Sequence, residues 1–99
     1  MNPADSLIQA YLRQSPHDAA PDNGPPSIAS AYAAQGSVWQ AMVGDARPRA
    51  WKIGAPTRDV EPVAAPVFPE RLALQPARFN SGLFFGLRVE AEIAFCFGR

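Results

Sequence analysis

Prolines constrain this chain more than any other residue type. Eleven of its 99 residues are proline, and seven of the eleven fall in two stretches, 15–26 and 57–69. Proline lacks a backbone N–H and fixes φ, so both stretches are predicted to be irregular. Regular structure is then confined to short elements, and the length suits one small domain rather than two.

Two stretches have the apolar spacing of helices. The first helix is predicted over 3–14 with Asn2 as its N-cap, and the loop 15–26 follows it. The second is predicted over 27–43, with Ser27 as its N-cap and a glycine just after its end. Each helix has one apolar stripe, so the two are expected to pack on each other or on a sheet.

Further along, the period changes from helical to alternating. A short strand is predicted over 49–53, and another over 71–74. The strongest strand pattern is 88–99, where apolar and polar residues alternate up to the last residue. A domain rarely finishes on its best central strand, so this chain is expected to be the N-terminal part of a longer protein.

Composition argues against several classes of function. Nine Lys and Arg balance nine Asp and Glu, which leaves no positive field to attract nucleic acid. No apolar run approaches the roughly 20 residues of a membrane helix, and the N-terminus lacks the pattern of a signal peptide. A single cysteine, Cys96, excludes an internal disulfide and is expected to be a buried thiol. A cytoplasmic protein is predicted.

Two glutamates on the last strand are the clearest candidates for chemistry. Glu90 and Glu92 share one strand face, with their Cα atoms about 6.5–7 Å apart. Carboxylates at that spacing repel unless a cation lies between them or one takes up a proton, and Mg²⁺ or Mn²⁺ suits such a pair. A solvated outer face of an amphipathic strand explains the same pattern, and both interpretations stay open.

Lys52 is the second candidate. It lies between Trp51 and Ile53 on the short strand, where its stem is expected to be part-buried and its amine could donate a proton or stabilise an oxyanion. The alternative is a surface lysine that extends past Trp51 into solvent. His17, in the proline-rich loop with no second His or Cys nearby, is interpreted as a solvated loop residue.

These motifs resemble the 2-keto-4-pentenoate hydratase branch of the fumarylacetoacetate hydrolase superfamily. The resemblance covers 27–99 and keeps the family's order of motifs. The matching segments are Ala31-Tyr-Ala-Ala-Gln35, Trp51-Lys-Ile-Gly54, Ala65-Pro66 to Leu72, Val89-Glu-Ala-Glu-Ile-Ala-Phe95 and Gly98-Arg99.

The resemblance implies a metal-dependent enzyme that acts on 2-oxo acids from aromatic-compound catabolism. It assigns two ligands of Mg²⁺ or Mn²⁺ to Glu90 and Glu92, with a third acidic ligand downstream of residue 99, and it places Lys52 at the active site. The reaction it implies is the addition of water to a 2-hydroxy-2,4-dienoate. A 2-oxo-acid decarboxylase of the same superfamily and a non-catalytic fragment remain as alternatives.

The fold that follows is α+β. An N-terminal α/β domain is expected over 1–83, and 84–99 is expected to begin a catalytic mixed β-roll whose remainder is absent. The 99 residues alone are then incomplete and inactive. The full-length protein is expected to be a homo-oligomer that binds a small 2-oxo acid and neither nucleic acid nor membrane.

Overall fold

The computed structural model of the chain describes residues 2–16 and 24–98. In chain order these contain helix α1 (Pro3–Leu12), helix α2 (Ile28–Met42), strand β1 (Trp51–Gly54) and strand β2 (Val63–Pro66), followed by two 3₁₀ turns, Pro69–Arg71 and Ser81–Leu83. The architecture is therefore mixed α+β at the coarse level, as predicted. Of the loop 15–26, the part that contains His17 lies outside the described residues.

Both helices begin at the predicted caps. The Asn2 side chain accepts a hydrogen bond from the Asp5 amide at 2.9 Å. Ser27 and Ser30 form a reciprocal capping box at the start of α2. α1 ends two residues earlier than the predicted 3–14, because Gln14 adopts a left-handed φ of 51° that a helix cannot contain.

The sheet is a two-stranded antiparallel hairpin. β1 lies one to two residues beyond the predicted strand 49–53, and β2 pairs with it in the register Lys52↔Ala65. β2 corrects the prediction that 57–69 is irregular. In an antiparallel pair, hydrogen-bonded and non-hydrogen-bonded positions alternate. Val67 donates to the Ala50 carbonyl at 2.9 Å, so the next position, Pro66 opposite Trp51, is non-hydrogen-bonded. Pro66 is tolerated there because no ladder bond needs its N–H.

The hairpin is joined to α2 through one residue of β2. The Ala64 amide donates to the Tyr32 hydroxyl at 3.1 Å, and the Gln35 amide group donates to the Ala64 carbonyl at 3.0 Å. Two side chains of one helix face thus take the place of a neighbouring strand. This explains why β2 forms in a proline-rich stretch.

Burial is slight throughout the described residues. α1 packs on α2, and Ala4 between them is the one buried hydrophobic residue in the described part of the chain. The Phe68 ring joins the two helices, with ring-centroid distances of 5.4 Å to Tyr11 and 5.9 Å to Trp39. The accessible area is 8905 Å², against about 5,500 Å² for a compact monomer of this mass.

Two predicted strands do not form. The first residue of the predicted strand 71–74 ends a 3₁₀ turn, and the stretch joins no sheet of the described chain. Residues 88–98 also join no sheet, and Cys96, expected to be buried, is exposed. A strand exists only where a second strand takes its backbone hydrogen bonds, and in the described residues none does so here.

Within the described residues, neither helix is both long and apolar enough to cross a bilayer.

Candidate functional site

The structure brings together the three residues singled out from the sequence. The Lys52 ammonium lies 3.1 Å from the Glu90 carboxylate and also contacts the Glu92 carboxylate. The partners are 38 and 40 residues apart in the chain. Both glutamates therefore converge on one cation, although the strand on which the sequence places them does not form in the described residues.

Local structure explains how this meeting arises. Lys52 lies in the middle of β1, and its register opposite Ala65 fixes the direction of its side chain. Glu90 and Glu92 are two residues apart in a segment without regular secondary structure, and both side chains turn toward Lys52. The three side chains remain about half exposed or more, at 53%, 73% and 50% respectively. At this exposure each ion pair contributes little to stability.

An open cleft of about 480 Å³ adjoins this cluster. It lies between the first half of α2 and the hairpin, and its lining is mostly apolar. Lys52, Tyr32 and Gln35 are among the polar residues that line it. The main apolar contributions come from Ile28, Ala31, Pro56 and Val63. The cleft thus combines a mostly apolar lining with one basic side chain, an arrangement that suits a small organic anion.

The donor set at the cluster suits a hard divalent cation in part. Two carboxylates that converge on one point are the ligand type that Mg²⁺ and Mn²⁺ prefer, and here they already hold a cationic group. Within the described ranges, no group of three His, Cys, Asp or Glu side chains is arranged to hold a metal ion. Glu90 and Glu92 would thus supply two ligands of a larger set.

A second polar cluster was not foreseen from the sequence. The Tyr11 hydroxyl donates to the Glu70 carboxylate at 2.6 Å, across 59 residues. Burial raises the pKa of the Tyr11 phenol, and the hydrogen bond to Glu70 raises this pKa further. The Arg71 guanidinium lies 5.9 Å from the centre of the Tyr11 ring and 5.3 Å from that of Phe84. No spacing in the sequence signals such a contact.

The roles of Tyr32 and Gln35 also became visible only in the structure. Their spacing of three residues places them on one face of α2, where a core function is the ordinary interpretation. In the structure both lie against β2 and on the cleft wall.

Comparison with protein-family models, with curated proteins and with solved structures finds no match to this chain.

Proposed function

We propose that this chain is the N-terminal portion of a metal-dependent hydratase that adds water to a 2-hydroxy-2,4-dienoate. The observation that supports the proposal most is the contact of the Lys52 ammonium with both Glu90 and Glu92 at the edge of a cleft. These are the three residues to which the family resemblance assigns the active site. The proposal includes a cytoplasmic homo-oligomer that works in aromatic-compound catabolism.

Glu90 and Glu92 are proposed as two ligands of Mg²⁺ or Mn²⁺, and the third acidic ligand follows further along the full-length protein. When bound, the divalent ion supplies positive charge that stabilises negative charge developing on a 2-oxo acid. The two carboxylates need no large rearrangement for this role, because both already point at one position.

Lys52 and the cleft are proposed to handle the substrate. Lys52 lines the cleft, and its Nζ is proposed to hold a substrate carboxylate or to deliver a proton to the diene. The apolar wall that includes Ile28 and Val63 suits the hydrocarbon part of such an acid and keeps water away from it. Tyr32 and Gln35 hold β2, and through it the strand that carries Lys52, in place.

Metal binding is the first test of the proposal. Titration calorimetry with Mn²⁺ and with Mg²⁺ is carried out on the 99-residue chain and on its Glu90→Ala/Glu92→Ala variant. We expect binding by the native chain and none by the double variant. Glu61→Ala is the matched control, because Glu61 is an exposed glutamate outside the cluster, and its removal is expected to leave binding unchanged. Equal binding by all three proteins would contradict the proposal.

Activity distinguishes the candidate reactions. The full-length product of the reading frame is incubated with a 2-hydroxy-2,4-dienoate and Mg²⁺, and loss of the conjugated diene is followed by ultraviolet absorption. Water addition gives a 4-hydroxy-2-oxo acid and is the expected result. A parallel incubation contains an unsaturated 2-oxo diacid in place of the dienoate. Release of CO₂ there, without hydration of the dienoate, would replace the hydratase by the decarboxylase. Metal binding with neither reaction would leave the non-catalytic alternative.

A further inference from the structure

The position between the Glu90 and Glu92 carboxylates is already taken by a cation. The Lys52 ammonium contacts both groups, so the three charges sum to −1. A divalent ion bound by the same oxygens competes directly with the ammonium, because the two positive charges would lie close together and repel each other.

We propose that Lys52 is a displaceable counter-ion: a divalent cation that binds Glu90 and Glu92 releases the Lys52 ammonium to the cleft. This inference rests on the metal site of the proposed function and adds an order of events to it. With a divalent ion in place of the ammonium, the charge of the two carboxylates is neutralised. The released ammonium then gives the cleft wall one positive charge. Metal loading therefore prepares the cleft for an organic anion.

Three observations support displacement rather than a fixed ion pair. The Lys52 side chain is about half exposed, so the two ion pairs that it must break are weak. Lys52 lines the cleft already, and rotation of its four-carbon stem is enough to turn the amine away from the carboxylates. Because this rotation involves only the side chain, β1 stays paired with β2, with Lys52 opposite Ala65, while the amine moves.

The order of binding follows from the charges. While the ammonium contacts both glutamates, an anion in the cleft meets a cluster with net negative charge. After metal binding, the same anion meets a free ammonium on an apolar wall, where the attraction is less screened than in open water. The metal is thus expected to bind first and a monocarboxylate second.

The first experiment compares metal affinities. Mn²⁺ is titrated into the native 99-residue chain and into Lys52→Met, which keeps the aliphatic stem and removes the charge. We expect Lys52→Met to bind Mn²⁺ about fivefold more tightly, since two exposed ion pairs no longer compete. Lys52→Arg keeps the competing charge and is expected to stay near the native affinity. Arg49→Met, three residues earlier, is the control for a general change in charge and is expected to have little effect.

The second experiment follows the side chain itself. Lys52 is the only lysine in the chain, so selective ¹³C labelling of lysine gives one ε-methylene signal. We expect Mg²⁺ to shift this signal in the native chain and to leave it in place in Glu90→Ala/Glu92→Ala.

The outcomes separate the inference from the function on which it rests. Metal binding with an unmoved lysine signal and no gain in Lys52→Met would overturn displacement and leave the metal site intact. Failure of the native chain and of Lys52→Met to bind either metal would overturn both. A weaker affinity in Lys52→Met would show that Lys52 supports the metal site instead of competing for it.

Discussion

The helix–hairpin unit (residues 28–66) forms a sheet, whereas the terminal segment (residues 84–98) does not. Both regions contain stretches in which apolar and polar residues alternate. In the helix–hairpin unit a capped helix holds a two-stranded sheet through Tyr32 and Gln35. The terminal segment contains no helix or strand and joins no sheet in the described part of the chain. From Leu87 onward its large apolar side chains face solvent, with Val89 at 90%, Ile93 at 86% and Phe97 at 97% exposed.

β1 and the terminal segment differ in whether a second segment pairs with them, not in their intrinsic tendency to form a strand. β1 has only four residues and little burial, yet it forms because β2 accepts its hydrogen bonds. The terminal segment has a longer and cleaner alternation, and Lys52 contacts its two glutamates without adding backbone pairing. An alternating pattern thus shows which residues share a face, whereas strand formation depends on a second segment.

The largest effect is expected where the described chain is best packed. Phe68→Ala removes the ring between Tyr11 and Trp39 and is predicted to lower the free energy of unfolding by about 2 kcal/mol, less than a fully buried phenylalanine because the site is only half-buried. Urea unfolding followed by helical circular dichroism measures it. Phe97→Ala, in the terminal segment, is the matched control and is expected to change nothing measurable. Equal losses in both variants would mean that the chain is packed no better around Phe68 than in the terminal segment.

A smaller effect is expected at the contact between helix and hairpin. Gln35→Leu leaves the part-buried Ala64 carbonyl without its donor and is predicted to cost about 1 kcal/mol. Hydrogen exchange at the amides of β1 and β2 measures the loosening of the hairpin, and urea unfolding measures the total. Gln40→Leu on the same helix is the control, because the Gln40 amide contacts Asp45 only five residues away. If Gln40→Leu accelerated exchange in the hairpin equally, α2 would not hold β2 through Gln35.

The smallest effect concerns the contact of Tyr11 with Glu70. The pKa of Tyr11 is raised above its ordinary value of 10.0 by burial and by the hydrogen bond to Glu70. The neutral phenol is therefore favoured in the folded chain, and its contribution is present below pH 10 and lost as pH rises through the raised pKa. Tyr11→Phe is expected to cost below about 1 kcal/mol at neutral pH.

Unfolding of the native chain and of Tyr11→Phe at pH 8, 10 and 11 tests this sign. The stability advantage of the native chain should shrink as pH rises above 10. A constant advantage across the three pH values would mean that the hydroxyl proton does not contribute.

Local signals in the sequence predicted the helices well and the sheet poorly. Asn2 and Ser27 act within three residues of themselves, so their caps are readable from spacing alone. β2 was missed because prolines were counted as breakers, although Pro66 occupies a ladder position that needs no N–H. Whether that position needs an N–H depends on the register with β1, which the sequence of β2 does not contain.

The candidate site divides in the same way. The two-residue period of a strand predicts that Glu90 and Glu92 converge, and their charges predict a cation between them. They do converge, but in a segment that forms no strand in the described residues. Lys52 supplies this cation because the fold brings it to Glu90 and Glu92, which are 38 and 40 positions further along the chain. No local pattern in the sequence predicts that contact. The family role of these residues stays a prediction, to be decided by metal binding and activity.

The hairpin has a further consequence for how its sheet can grow. On the outer side of β2, Ala64 is capped by a hydroxyl and an amide, and Pro66 has no N–H to offer. On the outer side of β1, the backbone groups of Trp51 and Ile53 point away from the ladder, and no strand of the described residues pairs with them. The sheet is closed to extension on one side and open on the other, so a third strand has only one place to add, and that place is next to Lys52.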